Sequence, residues 1–360
     1  MNPRAKNILY SLILLIAIVG VYHYRAYKKE QQQLDEIQNL SSGWFELRGA
    51  AQGTTYQIKY YDSLKRDFQP AIDSLLRQFD LALSTYVPAS EISRFNILDS
   101  GRLCYESPYF LPVLRKSQEV YEATAGAFDP TIAPLVRAYG FAPGAPPEPP
   151  AAPVLDSLRR LVGFFNIGFD DSCVWKKRSF VQLDFNAIAQ GYSVDVLADY
   201  LLAQGVRHFM IELGGELRCA GKNKDGEHWR IGIKDPVQAE KGKNVAYAIV
   251  ALDNEGLATS GNYEKFYIKN GKKYTHTIDP LTAKPVNHSL LSATVIAPDA
   301  MTADAYATAF MVVGLEKARR LLELHPELKA YLIYDDRGTL KAFVSPALRQ
   351  RIVEVKQESK

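Results

Sequence analysis

Residues 300–313, Ala-Met-Thr-Ala-Asp-Ala-Tyr-Ala-Thr-Ala-Phe-Met-Val-Val, constrain this chain more than any other stretch. The spacing predicts a helix that is apolar nearly all round and stops at Gly314, and such a helix has to be buried. Asp304 and Thr308 are four apart, so they put two oxygens on one face of it. A buried carboxylate without a partner costs several kcal/mol or loses its charge. Two readings meet that need. In one, Asp304 is a first-turn acid that complements the helix dipole behind Asp299 or Thr302 as N-cap. In the other, Asp304 and Thr308 are hard oxygen ligands of Mg²⁺, an ion that takes few protein ligands together with substrate phosphate.

The 360 residues suffice for one large domain or two modest ones, and 47% hydrophobic with 23% charged residues is ordinary globular composition. The net charge of +3 comes from the N-terminus: Arg4, Lys6, Arg25, Lys28 and Lys29 precede residue 30, which leaves −2 for residues 30–360. That balance argues against a general nucleic-acid role. Residues 8–22 form an uncharged apolar run between basic flanks, a signal peptide or a single membrane anchor. No small-residue cleavage site and no lipid-attachment Cys follow it, which favours an uncleaved anchor over residues 1–29. The flanking charges do not settle its orientation. Residues 30–43 are a Gln-rich polar tether. Cys104, Cys173 and Cys219 are odd in number and widely spaced, so they are expected to be small core residues or free thiols, with no disulfide framework.

The globular part is expected over residues 44–346, with a charged surface tail at 347–360. Residues 45–49 and 54–60 alternate as a hairpin, and Pro70 opens a helix through Ile72, Leu75, Leu76, Phe79 and Leu83. A second helix spans about 108–123, and 142–153 is a stiff Pro-rich surface loop. Residues 181–185 are expected as a strand that runs through Asn186 to Gly191 into a helix ending at Gly205. Such a junction presents backbone groups to anions. Residues 209–217 are an apolar strand interrupted by Gly214 and Gly215, the sign of a bulge or of close approach by a ligand. Residues 229–233, 246–252, 291–297, 330–334 and 340–344 are further strands, and 315–324 is an amphipathic helix. The fold class is α+β, and no internal repeat is present.

The chemical inventory is the Asp304/Thr308 pair, a His276-x-x-Asp279-Pro280 loop and several Gly-bearing strand ends, with no Ser-His-Asp elbow and no Cys/His metal cluster. It suits phosphate chemistry with Mg²⁺, in which catalysis is positioning plus charge neutralisation. His276 is either a proton acceptor near neutrality or a loop His satisfied by backbone.

Eight motifs in order resemble the ApbE family of FAD:protein FMN transferases. They are Gly53-Thr54-Thr55-Tyr56; Ser84-Thr85-Tyr86 with Ser90 to Asn96; Gly126-Ala127-Phe128-Asp129-Pro130; Asp184 with Ala187-Ile188-Ala189 and Gly191-Tyr192; Glu212-Leu213-Gly214-Gly215-Glu216; Thr259-Ser260-Gly261; His276 with Ile278-Asp279-Pro280; and Ala303-Asp304-Ala305 with Thr308. The resemblance spans about Trp44 to Val344. It implies a T-fold-like domain of mixed and antiparallel sheets with packed helices, held at the bacterial inner membrane by the N-terminal segment and facing the periplasm or cell exterior. It also implies FAD as substrate, and transfer of FMN through a phosphoester bond to a Thr or Ser hydroxyl of a target protein, with release of AMP. Targets would be membrane redox subunits of quinone-reductase or Rnf type. Mg²⁺ would be held by the Asp304 and Thr308 side chains and the Ala187 carbonyl. His276, with Asp279, would accept or orient the hydroxyl proton. Flavin and nucleotide contacts would fall on Tyr86, Asp129, Asp184, Gln190, Gly214, Gly215, Thr259 and Ser260. The chain departs from the family at Gln190, where Lys is usual, and at Asn186, where Gly is usual; a Gln gives a phosphate only neutral hydrogen bonds. Alternatives are an FAD pyrophosphatase, with water in place of the hydroxyl, and a flavin-binding protein without turnover.

Overall fold

The computed structural model describes residues 17–25, 27–28, 42–142, 144–263 and 265–355. Its organising element is an eight-stranded sheet. We label its strands β1 (Trp44–Ala51), β2 (Thr54–Tyr61), β3 (His208–Leu213), β4 (Glu216–Ala220), β5 (Gly256–Gly261), β6 (Leu290–Ala297), β7 (Lys329–Asp336) and β8 (Thr339–Val344). Spatial order follows chain order, and every neighbouring pair is antiparallel. The expected hairpin at the start of the domain forms with Trp44 opposite Tyr61, around Gln52 and Gly53, both of which have positive φ.

The central strands are apolar on both faces because the sheet is covered there on both sides. On one face lie the helices α1 (Gln69–Leu83), α2 (Phe110–Ala123), α3 (Ala189–Ala203) and α4 (Ala300–Val313). Ile58, Phe209 and Ile211 meet Ile72, Leu76, Leu197 and Leu201 there, while Ala258, Ala293 and Val295 share a core with Phe310 and Phe110. On the other face, Leu217, Cys219, Leu257, Ile296 and Ile333 pack against a three-stranded sheet of Trp229–Lys234, Ala246–Leu252 and Ile352–Val355. The mixed helix and antiparallel-sheet class is as expected, and α4 is as buried as its composition demands.

Several expectations are corrected. Residues 181–185 join no sheet; the Asn96 side chain clamps them, with Nδ2 donating to the Leu183 carbonyl (2.8 Å) and Oδ1 accepting from Leu183 N–H (2.7 Å). Gly214 and Gly215 form no bulge. They are the two-residue turn between β3 and β4, at φ 67° and 116°, which side chains adopt only with strain. Part of the charged surface tail is structured: Pro346–Arg349 is helical, Leu348 is fully buried, and Ile352–Val355 pairs with Ala246–Leu252. Cys104 and Cys173 are opposite residues of a small sheet, Gly101–Cys104, Cys173–Lys176 and Ile167–Phe169, and are joined by a disulfide; only Cys219 is free, and it is buried. The odd cysteine count hid a pair that strand pairing brings together. At the N-terminus, residues 8–16 of the apolar run and 30–41 of the tether lie outside the described residues, and 17–25 are helical and exposed. Among the described residues no helix is long and apolar enough to cross a membrane.

Candidate active site

The site is built where α3 and α4 meet over β5. Strand β5 and helix α4 run side by side in the same direction. Gly256 lies against the first residue of α4, since a Cβ there would sit 2.2 Å from Ala300 N, and Ser260 Oγ is 3.1 Å from Thr308 Oγ1. The match is one of rise: four residues of strand advance about 13 Å and eight of helix about 12 Å. Small residues along Gly256-Leu257-Ala258-Thr259-Ser260-Gly261 permit this approach, and they also hid the segment as a strand. Thr259 Oγ1 hydrogen-bonds Thr294 Oγ1 on β6 (2.8 Å), which makes it a sheet-binding group.

Asp304 is 5% exposed, and its Oδ2 accepts from Gly191 N–H at 3.1 Å. Asp299 is the N-cap of α4, accepting from Thr302 N–H, so Asp304 lies beyond the first turn and the helix-dipole reading loses its geometry. Burial lifts the Asp304 pKa well above the carboxylate range; the Gly191 hydrogen bond opposes this and the charge of Asp195 adds to it. No cation among the described residues pairs with Asp304. Gly191 N–H is spent on Asp304, so the carbonyl four residues back, that of Ala187, is not its acceptor. A carboxylate, a hydroxyl and a backbone carbonyl, all hard oxygens, are the donor set that Mg²⁺ prefers. Among the described residues no group of three or more His, Cys, Asp or Glu could hold a metal, so substrate or water would complete the shell.

Gln190 precedes Gly191 and reaches the β3–β4 turn: a Cβ on Gly214 would sit 2.8 Å from Gln190 Nε2 and 2.9 Å from Thr54 Cγ2. Gln190, Gly214 and Thr54 therefore form one wall, and Thr54, quoted in the first motif without a site role, is a member of it. Gly215 N–H is held by Glu212 Oε1 (2.9 Å).

His276 follows the hairpin Phe266–Lys269/Lys272–Thr275, with Phe266 opposite Thr275. Its backbone N–H and its Nδ1 both lie 3.1 Å from the Lys265 carbonyl. A carbonyl only accepts, so Nδ1 carries the hydrogen and Nε2 keeps a free lone pair. Burial holds its pKa below the usual 6.5, so the neutral base is its form at neutral pH. Lys265, half of this arrangement, carried no signal in the sequence. Its charge also reaches Asp184, whose pKa burial raises while hydrogen bonds from Asn186 and then Lys265 lower it, and the Tyr86 pKa is raised by burial and then by Asp184. Tyr86 is 59% exposed, open for ring stacking.

Asp129, Asp184 and Asp279 all hold backbone. Asp184 accepts from Asn186 N–H (2.8 Å) and its own N–H donates to the Pro130 carbonyl (2.7 Å). Asp129 Oδ1 accepts from Thr131 N–H and Oγ1–H, and burial raises its pKa to about 6. Asp279 Oδ1 accepts from Leu281 N–H and Oδ2 from the Thr282 hydroxyl. With both oxygens engaged, Asp279 anchors the turn after His276, and the structure gives it no hydrogen bond to that histidine.

A carboxylate and a hydroxyl on one helix face, beside the start of a second helix, suit one class of chemistry, that of phosphate groups. Comparison with known proteins narrows it. Residues 52–332 match the ApbE family. An FAD:protein FMN transferase of Vibrio cholerae is 34% identical over 308 residues, covering 84% of this chain and 91% of its own length. One from Haemophilus influenzae is 36% identical over 298 residues, 80% and 85% of the two chains. Among solved structures, the flavin transferase ApbE from Vibrio cholerae superimposes with a TM-score of 0.76 at 34% identity, over 86% of this chain and 99% of that one. The chain belongs to the ApbE family.

Proposed function

We propose that this protein transfers FMN from FAD to a Thr or Ser hydroxyl of a target polypeptide with the help of Mg²⁺, forming a phosphoester and releasing AMP. The observation that carries the reading is the buried Asp304, without a counter-cation among the described residues, on the same helix face as Thr308. The names of the relatives support the reaction type. Asp304, Thr308 and the Ala187 carbonyl would hold the metal, which when bound neutralises charge on the pyrophosphate oxygens. The chain's own groups do the rest. Nε2 of His276 takes the proton of the target hydroxyl as its oxygen forms a bond to the FMN-side phosphorus, and the bond from that phosphorus to the AMP oxygen breaks. Tyr86 offers a face to the flavin. The wall of Gln190, Gly214 and Thr54 lines the approach to the start of α3, where Gly191 N–H holds Asp304. Gln190 leaves this wall without the positive charge of a lysine.

We also place the domain outside the cytoplasm, tethered by its N-terminal apolar segment to the bacterial inner membrane, with membrane redox subunits as targets. The Cys104–Cys173 disulfide supports that compartment, because such bonds persist where thiols are not kept reduced.

The test is incubation of the protein with FAD, Mg²⁺ and a candidate target, read as covalent flavin on the target by mass. AMP without covalent flavin would mean hydrolysis, and FAD binding with no Mg²⁺-dependent AMP would mean a flavin carrier. Asp304→Asn should retain the fold and lose Mg²⁺-dependent transfer; full activity in that variant would refute the ligand assignment.

A further inference from the structure

Asp195 takes no part in the chemistry above, yet it is 7% exposed and fully engaged. It lies on α3 one turn beyond Gly191, on the same face. Its Oδ1 accepts from Ala300 N–H (3.0 Å) and its Oδ2 from Met301 N–H (2.8 Å), while Arg218 Nη1 of β4 donates to Oδ1 at 2.8 Å. Ala300 and Met301 are the first two residues of α4, so their N–H groups have no acceptor within the helix. The arrangement is reciprocal, because Asp304 of α4 accepts from Gly191, the third residue of α3. Each helix satisfies an orphan donor of the other through a buried carboxylate. The ends touch closely enough that a Cβ on Gly191 would stand 2.3 Å from the Ala300 carbonyl oxygen.

The charges are unequal. Three carboxylates, Asp195, Asp299 and Asp304, share this region with one guanidinium, and the guanidinium goes to Asp195. Asp304 therefore faces a like charge across the helix junction with nothing of opposite sign, among the described residues, on its own oxygens.

We infer that Asp195, charge-balanced by Arg218, is a positioning residue for flavin transfer. It fixes the start of α4 so that Asp304 is presented to a divalent cation, and its charge adds to the attraction that cation feels. The inference rests on the Mg²⁺ reading above.

A mere helix cap and an electrostatic partner differ in sign. Asp195→Asn removes the negative charge and presents an amide N–H₂ to donors, whereas Arg218→Met removes the positive charge; burial already lifts the Asp195 pKa to about 6 and Arg218 holds it down, so both variants are compared at pH 8.5, where the carboxylate regains its charge. The experiment is titration of the purified full chain with Mn²⁺ in the absence of FAD, read by electron paramagnetic resonance below the unfolding temperature, with thermal unfolding alongside. Asp195→Asn should weaken Mn²⁺ binding about tenfold or more, the usual scale for groups that orient a metal ligand. Arg218→Met should bind Mn²⁺ more tightly than the wild type although its Tm falls. Weakening in both variants, in step with their losses of Tm, would overturn the inference, and so would a wild-type Kd in Asp195→Asn. If Asp195→Asn does not fold, Arg218→Met decides alone: tighter binding supports the inference and weaker or unchanged binding refutes it. Failure of the wild type to bind Mn²⁺ would remove the metal reading and this inference with it, a result distinct from wild-type binding that Asp195→Asn leaves unchanged.

Discussion

Gly191→Ala is the sharpest probe of the helix junction. In an ordinary helix interior this change stabilises by about 1 kcal/mol, because Gly is the poorer helix former. Here the new Cβ would stand 2.3 Å from Ala300 O, 2.7 Å from Ala300 C and 2.8 Å from Asp304 Cβ, and the first two are backbone atoms that cannot rotate away. Restoring an ordinary contact of about 3.4 Å requires α3 and α4 to part by about 1 Å, and overpacking of that kind costs roughly 1–3 kcal/mol. The net effect is a loss of about 0–2 kcal/mol where a gain would be usual. The same displacement stretches the 3.1 Å bond from Gly191 N–H to Asp304 past any useful length. A misplacement of about 1 Å can cost 10²-fold in rate. The assay is kcat/KM for FMN transfer together with Tm by calorimetry. A variant that is more stable than the wild type and equally active would show that the junction is looser than described.

Further outcomes are expected. His276→Ala should lose about 10²–10⁴-fold in kcat. In the wild type the acidic limb of the kcat/KM profile should lie below pH 6.5, because burial favours the neutral ring, and the variant should lose that limb; a limb that persists would clear His276 of the base role. Reduction of the disulfide, or Cys104→Ser with Cys173→Ser, opens a loop of 69 residues and should cost about 4 kcal/mol in urea unfolding. An unchanged midpoint would deny the bond a stabilising role. Asp129 has a folded pKa of about 6, above its ordinary 3.8, so its stabilising contribution is whole below pH 4 and is lost as pH rises through 6. Asp129→Asn keeps the acceptor for Thr131 and should be more stable than the wild type at pH 8 by up to about 3 kcal/mol, the two converging at pH 4. A stability difference that does not change with pH would refute the assignment.

What was legible in the sequence is what periodicity records. The burial of α4, the opening hairpin, α1 and the closing strand pair of β7 and β8 follow from apolar spacing alone. Three kinds of feature did not follow. Strand β5 is made of Gly, Ala, Thr and Ser because α4 lies on it, and small residues carry no strand signal. Residues 181–185 look like a strand, yet a single side chain, Asn96, takes the place of a ladder. The disulfide depends on two strands brought together across 69 residues. At the site, the oxygen pair of Asp304 and Thr308 was visible as spacing, whereas the Lys265 carbonyl that sets the His276 tautomer is backbone and leaves no mark in side-chain pattern. Asp279 illustrates the converse. Its motif suggested chemistry, and the structure uses both of its oxygens to fold a turn.

The order of the large sheet bears on how the chain reaches its native state. Seven junctions join strands adjacent in the sheet, and the widest gap in sequence lies between β2, which ends at Tyr61, and β3, which starts at His208. A chain that emerges N-terminus first presents β2 with an unsatisfied edge until residues 208–213 arrive, and closure of so long a loop is slow and exposes the edge to strangers. Folding of the emerging chain should therefore pass through a vulnerable interval between these two strands, and a holding chaperone would have its greatest effect there.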